Sequence, residues 1–236
     1  DLTQIREVER MRDDLFQGII HELRTPLATI LMYSRLLREG KARQPEKAER
    51  FLGVIERESD RLQRMIRQML DLAKLEAREM QHSPEPVWLN ALFDESLPPL
   101  AERAVQKGLL FRQRIESDLP PVMGSVEAYA MTLRILLDNA IKFTPSGSVQ
   151  ITAWQKDDTV IVEITDDGIG IPPEAMNNLF KRFYRAQSAV ERGIAGTGLG
   201  LYMVKENLRN YNGRIAVQST LGQGTTFTLQ LPIAQI

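Results

Sequence analysis

Apolar residues fall along the first third of the chain at helical intervals. Leu2, Ile5, Val8, Met11, Leu15, Ile19, Leu23, Leu27, Ile30 and Leu37 recur at steps of three or four, with Ser34 as the polar interruption. One continuous stripe of this kind predicts a helix of about 37 residues, on the order of 55 Å long at 1.5 Å per residue. The stretch "EGKARQP" then supplies a turn, with Gly40 placed to cap one helix and Pro45 placed early in the next. From Pro45 to Met80 a second pattern runs: Ala48, Ile55, Leu62 and Met69 are spaced by sevens, Phe51, Met65 and Leu72 occupy the complementary heptad position with Glu58 as its exception, and Leu52, Ile66 and Ala73 widen the stripe. Two such helices carry more apolar surface than a hairpin can bury by itself. The simplest cover is a second copy, giving a four-helix bundle; the alternative is packing against the rest of the same chain.

Pro84 and Pro86 in "HSPEPVWL" end this pattern, so residues 1–83 and 87–236 read as two domains. Beyond the boundary the periods mix. "VWLNALFDESLPPLAERAVQKG" starts extended and turns helical, "LLFRQRIES" alternates as a strand does, and "EAYAMTLRILLDNAIKF" is helical. "SVQITAWQKDDTVIVEITDDG" reads as two strands with a turn at "KDD", "LYMVKENLRNYNG" as a helix ending at Gly213, and "GRIAVQSTLGQGTTFTLQLP" as a closing hairpin. Helices and antiparallel strands in this order predict an α+β chain: a helical hairpin, then an α/β sandwich.

Composition narrows the chemistry. The 236 residues are 43% hydrophobic and 26% charged with a net charge of −1, which suits a globular core and gives no basic nucleic-acid footprint. The absence of cysteine excludes disulfides and thiolate metal sites, and two histidines make a histidine-rich metal centre unavailable. No apolar run approaches the roughly 20 residues that cross a bilayer, and no signal peptide is visible. The chain starts at Asp1, inside a helical pattern, so we read it as part of a longer protein, in the cytoplasm, with any membrane attachment through segments outside this sequence.

Candidate chemistry lies in two places. "FQGIIHELRTPLATI" sets His21 beside Glu22, with Thr25 one turn on and Pro26 after it. "TDDGIGIPP" and "GIAGTGLGLYMVK" set glycines after extended segments, the second immediately before a helix, where backbone N–H groups favour an anion. No Gly-Lys-Ser/Thr ending of a P-loop is present, and no repeated βαβ pattern supports a dinucleotide fold.

The boxes "HELRTPL", "LRILLDNAIKFTPSG", "DDGIGIP", "LFKRFYRA", "GTGLGLYMVK" and "GQGTTF", in that order over essentially the whole chain, resemble the catalytic core of two-component sensor histidine kinases. The resemblance implies a dimeric hairpin bearing a phospho-accepting histidine, and an ATP-binding sandwich like those of DNA gyrase and the heat-shock chaperone ATPases. By motif match it implies that Asn139 ligates Mg²⁺, Lys142 approaches the phosphates, Asp166 reads the adenine amino group, and Gly168 and Gly170 let their loop run close to the base. Phe143 would border the nucleotide, Tyr184 and Arg185 would belong to a lid spanning about residues 176–195, and Gly196, Thr197, Gly198, Leu199, Gly200 and Thr225 would complete the ATP site. Arg182 reads equally well as a lid ligand or a solvated side chain, and Phe143, Phe180 and Phe183 could be core.

On the hairpin the resemblance makes His21 the phosphoryl acceptor and Glu22 its proton acceptor. A neutral imidazole suits the first role, its unperturbed pKa being about 6.5. Thr25 matches the pattern of members that also dephosphorylate their partner; a helical hydroxyl bonded to its own backbone is the alternative. Pro26 predicts a local bend, since it removes a donor and crowds the carbonyl of Glu22. His82 reads as inert. The partners implied are a second copy and the receiver domain of a response regulator. Two departures stand out: Ile135 replaces a common asparagine, so it can neither bind Mg²⁺ nor hold a water, and Ser125 replaces a common aspartate. Two rival readings stand beside this one: a nucleotide-binding dimeric scaffold or weak kinase acting mainly as a phosphatase, to which Ile135 gives room, and an ATP hydrolase of the related superfamily, against which Ile135 and His21 both speak.

Overall fold

A computed structural model of the chain describes residues 20, 23–42, 44–78, 84–191, 194 and 196–234. It divides into two compact units, Asp1–Lys74 and Leu75–Ile236. Most of the first predicted helix before Leu23, with His21 and Glu22, lies outside the described residues, as does His82.

In the first unit, α1 is described over residues 23–38 and α2 over Pro45–Arg78. The stop after α1 has a specific cause. Gly40 takes φ +67°; its N–H donates to Leu37 O (3.1 Å) and that of Lys41 to Leu36 O (3.0 Å). This pair of reverse bonds satisfies carbonyls that a helix end leaves open, in a conformation glycine adopts without a Cβ clash. Pro45 opens α2, where its missing N–H costs nothing, and Glu46 faces the positive end of the helix dipole. Tyr33 of α1 meets Phe51 of α2 edge-to-face with centroids 4.9 Å apart, a contact worth about 0.5–1.5 kcal/mol that sets the register of the hairpin. The described helix continues through Pro26, which is buried; the carbonyl that Pro26 was expected to crowd belongs to Glu22. Leu27, Leu31 and Met32 on α1, and Leu52, Ile66 and Leu70 on α2, are each about half exposed.

The second unit is a two-layer sandwich. Its elements are β1 (Glu85–Val87), α3 (Leu89–Gln106), β2 (Leu110–Ile115), β3 (Val122–Gly124), α4 (Val126–Phe143), β4 (Ser148–Lys156), β5 (Thr159–Asp166), α5 (Pro173–Met176), α6 (Gln187–Glu191), α7 (Gly200–Asn210), β6 (Arg214–Thr220) and β7 (Gly224–Pro232). The main sheet has the order β2-β4-β5-β7-β6, and β1 pairs separately with β3. Alternation along the strands produces rows of apolar residues across the sheet, Ile151–Ile164–Phe227 and Ala153–Val162–Leu229, all buried. Leu97 and Leu100 of α3, Leu136 and Leu137 of α4, and Val204 and Leu208 of α7 share one core with them. The opposite face carries polar cross-strand pairs, such as Thr165 with Thr226 and Thr228 with Glu163.

Two expectations are corrected, and one segment gains an element. The sheet is mixed, because β2 runs parallel to β4; the α4 crossover between them returns the chain in the same direction. The segment "QSAVE", inside the expected lid and assigned no element from its sequence, forms α6. Helix α7 stops at Asn210, and Asn212 rather than Gly213 takes the left-handed conformation (φ +56°), while the Gly213 N–H donates to Leu208 O. Asparagine tolerates this region better than other residues with a Cβ.

Gly224 begins β7 with φ +113°, and a Cβ there would lie 1.9 Å from Asp166 O. Gly224→Ala is therefore expected to destabilise the sandwich by about 2–4 kcal/mol, by backbone strain and by parting β5 from β7. Urea denaturation of the variant against the unaltered chain checks it.

Candidate functional site

The site is built from α4 outward. Ser125 caps this helix by accepting the Ala128 N–H at 3.4 Å, so the serine does the capping work available to an aspartate. Ile135, Asn139, Lys142 and Phe143 follow at i, i+4, i+7 and i+8 and so share one helical face. All four are half-buried. Lys142 Nζ lies 4.8 Å from the Phe143 ring centroid, a cation–π contact. It also lies 3.1 Å from where a Cβ on Gly196 would sit, so the amine stands against the glycine loop that leads into α7. Ile135 packs at the start of α7: its Cγ2 is 3.0 Å from the Cβ position of Gly200. The position without a polar ligand is thus occupied by apolar packing between α4 and the α7 N-terminus.

Asp166 ends β5, flanked in the sheet by Val149 and Thr225. It is 6% exposed, and its Oδ1 accepts the Gly168 N–H at 2.8 Å. Burial pushes its pKa up to about 6; backbone N–H groups of Gly168 and Thr225 act in the opposite direction, and Asp167 adds a smaller repulsion. Gly168 has no room for a side chain, since a Cβ would stand 2.5 Å from Asp166 Oδ1 and 2.7 Å from Phe143 O. The loop that follows is held at each step: Ile169 N–H donates to Phe143 O (3.1 Å), Gly222 N–H donates to Ile169 O (2.8 Å), and Ile171 N–H donates to Ser219 Oγ (2.8 Å). Gly170, at φ +67°, passes so close to Thr220 that a Cβ would meet its carbonyl oxygen at 2.1 Å.

The second glycine loop crosses the segment before α6. Gly198 has φ +73°, and a Cβ there would be 2.4 Å from the carbonyl carbon of Phe183. Thr197 Oγ1 accepts the Leu199 N–H at 3.3 Å, and both residues are buried. Gly200 then opens α7, whose first-turn N–H groups have no partners within the helix. Tyr184 and Arg185 are half-buried, and Arg185 donates to Ile194 O at 2.7 Å. Arg182 is directed to α7, where it donates to the Tyr202 hydroxyl and stacks 4.5 Å from that ring's centroid. A cleft of about 840 Å³ opens beside these elements, with Gly168, Ile169, Pro172, Tyr184 and Ser188 in its walls. The Asp166 carboxylate lies behind Gly168 rather than in the wall.

Thr25 is exposed on α1, and its carbonyl accepts the Thr29 hydroxyl at 3.1 Å. Two residues that sequence reasoning missed organise the sandwich site. Ser219 accepts from Ile171 N–H, donates to Gly224 O (2.8 Å) and meets Thr225 Oγ1 at 2.9 Å. The only sequence signal for it is register, since Ser219 pairs with Thr225 across the closing hairpin. Asp167 accepts both the N–H and the hydroxyl of Ser148 at 2.7 Å, tying the start of β4 to the same loop. Among the described residues no cluster of three or more His, Cys, Asp or Glu could hold a metal ion.

Comparison with known proteins agrees with this arrangement. Residues 125–235 match the profile of the histidine kinase-, DNA gyrase B- and HSP90-like ATPases, and residues 11–78 match the His Kinase A phospho-acceptor domain. Sensor protein SrrB of Staphylococcus aureus (strain N315) is 32% identical over 98% of the chain. That alignment covers 40% of SrrB, so the chain spans less than half the length of these curated relatives. Among solved structures, full-length ShkA in complex with AMPPNP superposes with a TM-score of 0.66 at 30% identity, over 92% of this chain and 45% of that one. The histidine kinase ThkA in complex with the response regulator TrrA shares the fold, with a TM-score of 0.73 at 19% identity over 97% of this chain and 64% of that one. With a phospho-acceptor hairpin followed by the ATPase sandwich, in that order and over nearly its full length, the chain belongs to the sensor histidine kinase family.

Proposed function

We propose that this chain is the catalytic core of a sensor kinase: residues 87–236 bind Mg-ATP, His21 of residues 1–83 takes the γ-phosphoryl group, and an aspartate on the receiver domain of a response regulator receives it next. The observation that carries the reading is the buried Asp166 carboxylate, held behind Gly168 at the strand end, on the same unit as a lysine set against a glycine loop and a helix N-terminus. A carboxylate kept from water suits recognition of an adenine amino group, and Lys142 with the α7 N-terminus suits phosphates. SrrB is a sensor protein, ShkA was solved with an ATP analogue, and ThkA was solved with a response regulator; all three point the same way.

Asn139 would supply one amide oxygen to Mg²⁺. The donor set fits an ion that takes its other ligands from phosphates and water, as Mg²⁺ commonly does, and does not fit an all-protein metal site. The ion would offset charge on the transferring phosphoryl group, while Lys142 and the α7 N–H groups hold the phosphates in place. Half-exposed Leu27, Leu31, Ile66 and Leu70 give the hairpin apolar surface for a second copy. Thr25, exposed one turn beyond His21, is the residue proposed to orient a water for removal of phosphate from the partner. We place this part of the protein in the cytoplasm, with any membrane attachment through segments outside this sequence.

Incubation with γ-labelled ATP and Mg²⁺ tests the reading. Label retained in base and lost in acid supports it; phosphate release without labelling of the chain favours a hydrolase and overturns it.

A further inference from the structure

We propose that Lys107 is a positioning residue for the phosphate-facing end of α4, an inference that rests on the nucleotide reading of the sandwich. The last four carbonyls of a helix have no partners within it. Those of α4 all have partners outside the helical pattern. Ala140 O accepts the Thr144 hydroxyl (2.6 Å), Phe143 O accepts Ile169 N–H (3.1 Å), and both Ile141 O (2.6 Å) and Lys142 O (3.0 Å) accept from Lys107 Nζ. The need for a donor from elsewhere follows from the exit. Thr144 leaves the helix extended (φ −100°, ψ 106°), and residue 145 is proline, which has no N–H to fold back.

Lys107 is itself well placed by the backbone. It is the C-cap of α3, its N–H bonded to Arg103 O and Ala104 O, and Gly108 turns the chain immediately after it. Arg103, one turn earlier on the same face of α3, pairs with Asp138 at 2.5 Å. That pair is largely solvent-exposed and weak by itself. Together the two cations nevertheless grip α4 on either side of Asn139, at Asp138 and at residues 141–142.

The electrostatic consequence is specific. The C-terminus of a helix carries roughly half a negative charge. Lys142 stands in the last turn of α4, so phosphates drawn to it approach the unfavourable end of that dipole. An ammonium group bonded to the two terminal carbonyls offsets the repulsion and fixes the backbone from which Lys142 projects. Asp166 stands on β5, and the loop after it meets α4 at Phe143 O rather than at the two carbonyls that Lys107 holds, so adenine recognition depends on the lysine far less.

The test compares ATP and adenosine affinities of the full chain by calorimetry for the unaltered protein, Lys107→Met and Lys107→Arg. Lys107→Met is expected to weaken ATP by about tenfold, the scale of a charged hydrogen bond, while adenosine changes by less than about twofold. Lys107→Arg is expected to recover most of the loss. An unchanged ATP affinity in Lys107→Met overturns the proposal, and so does an equal loss for both ligands, which marks a general effect on the fold. Should Lys107→Met not fold, Lys107→Gln, with a donor but no charge, is judged by the same ratio. If the unaltered chain binds neither ligand, the nucleotide reading itself falls and this inference with it.

Discussion

His21→Ala is expected to eliminate phosphorylation of the chain while leaving ATP affinity within about twofold of the unaltered protein. The asymmetry follows from placing the proposed acceptor and the proposed nucleotide groups on separate units: residue 21 falls within Asp1–Lys74, whereas α4, β5, β7 and the start of α7 belong to Leu75–Ile236. In the proposed step the Nε2 lone pair attacks the γ-phosphorus, a P–N bond forms, and the bond to the β,γ-bridging oxygen breaks as ADP leaves. The ring is then cationic unless Nδ1 gives up its proton, for which Glu22 is the adjacent base. Glu22→Gln should therefore lower the labelling rate by roughly 10²-fold, the usual worth of a positioned base, without moving ATP affinity. The chain contains one other histidine, His82, so the control is direct. Acid-labile label that persists in His21→Ala and disappears in His82→Ala would refute the assignment.

Periodicity carried most of the architecture. β4 and β5 were legible because Val149, Ile151 and Ala153, and then Val162 and Ile164, alternate with polar residues, with apolar Ile161 as the exception in β5, and a sheet buried on one face imposes that period. The Gly40 cap was legible because few residues other than glycine accept its conformation. Strand direction was not legible. Leu110 to Ile115 alternate in the same way whether β2 runs with β4 or against it, and only the α4 crossover decides. The three residues of β3 and the five of α6 are too short to show a period.

The candidate site divides along the same line. Asn139, Lys142 and Asp166 could be singled out as candidates because they sit in recognisable boxes. Lys107 and Ser219 were missed because their partners are 34 and 35 residues away for the first, and 48 for the second through Ile171 N–H. A contact of that kind exists only once the topology is built. Arg182 shows the limit from the other side: its box context made it a lid candidate, whereas the fold gives its guanidinium a stacking partner in Tyr202, on the opposite side of the second glycine loop in sequence.

Asp166 provides the second large effect, in its pH dependence. Its pKa is raised to about 6, chiefly by burial, from an ordinary value of 3.8. An adenine amino group donates to the ionised carboxylate, so binding and ionisation favour each other. Adenosine affinity should accordingly be nearly flat above pH 7 and fall by up to about tenfold per pH unit as pH drops below about 6, because ligand must then displace a proton. Adenosine is the right probe, since it has no phosphate to titrate. Asp166→Asn is expected to weaken adenosine by more than about tenfold at pH 7.5, because a buried amide that presents its N–H₂ opposes another donor, and to remove the inflection near pH 6. Stability carries the opposite sign. Between the unfolded value and about 6 the native state binds more protons than the unfolded chain, so the free chain loses stability as pH rises through that window, by up to about 3 kcal/mol for the full shift at 1.36 kcal/mol per unit. Saturating ligand should flatten that decline by favouring the ionised native form. Calorimetric titrations and denaturant melts between pH 4.5 and pH 8, each on the unaltered chain and on Asp166→Asn, read both curves. The assignment of Asp166 as the adenine reader fails if adenosine binding shows the same inflection in the two proteins, because the titrating group would then lie elsewhere.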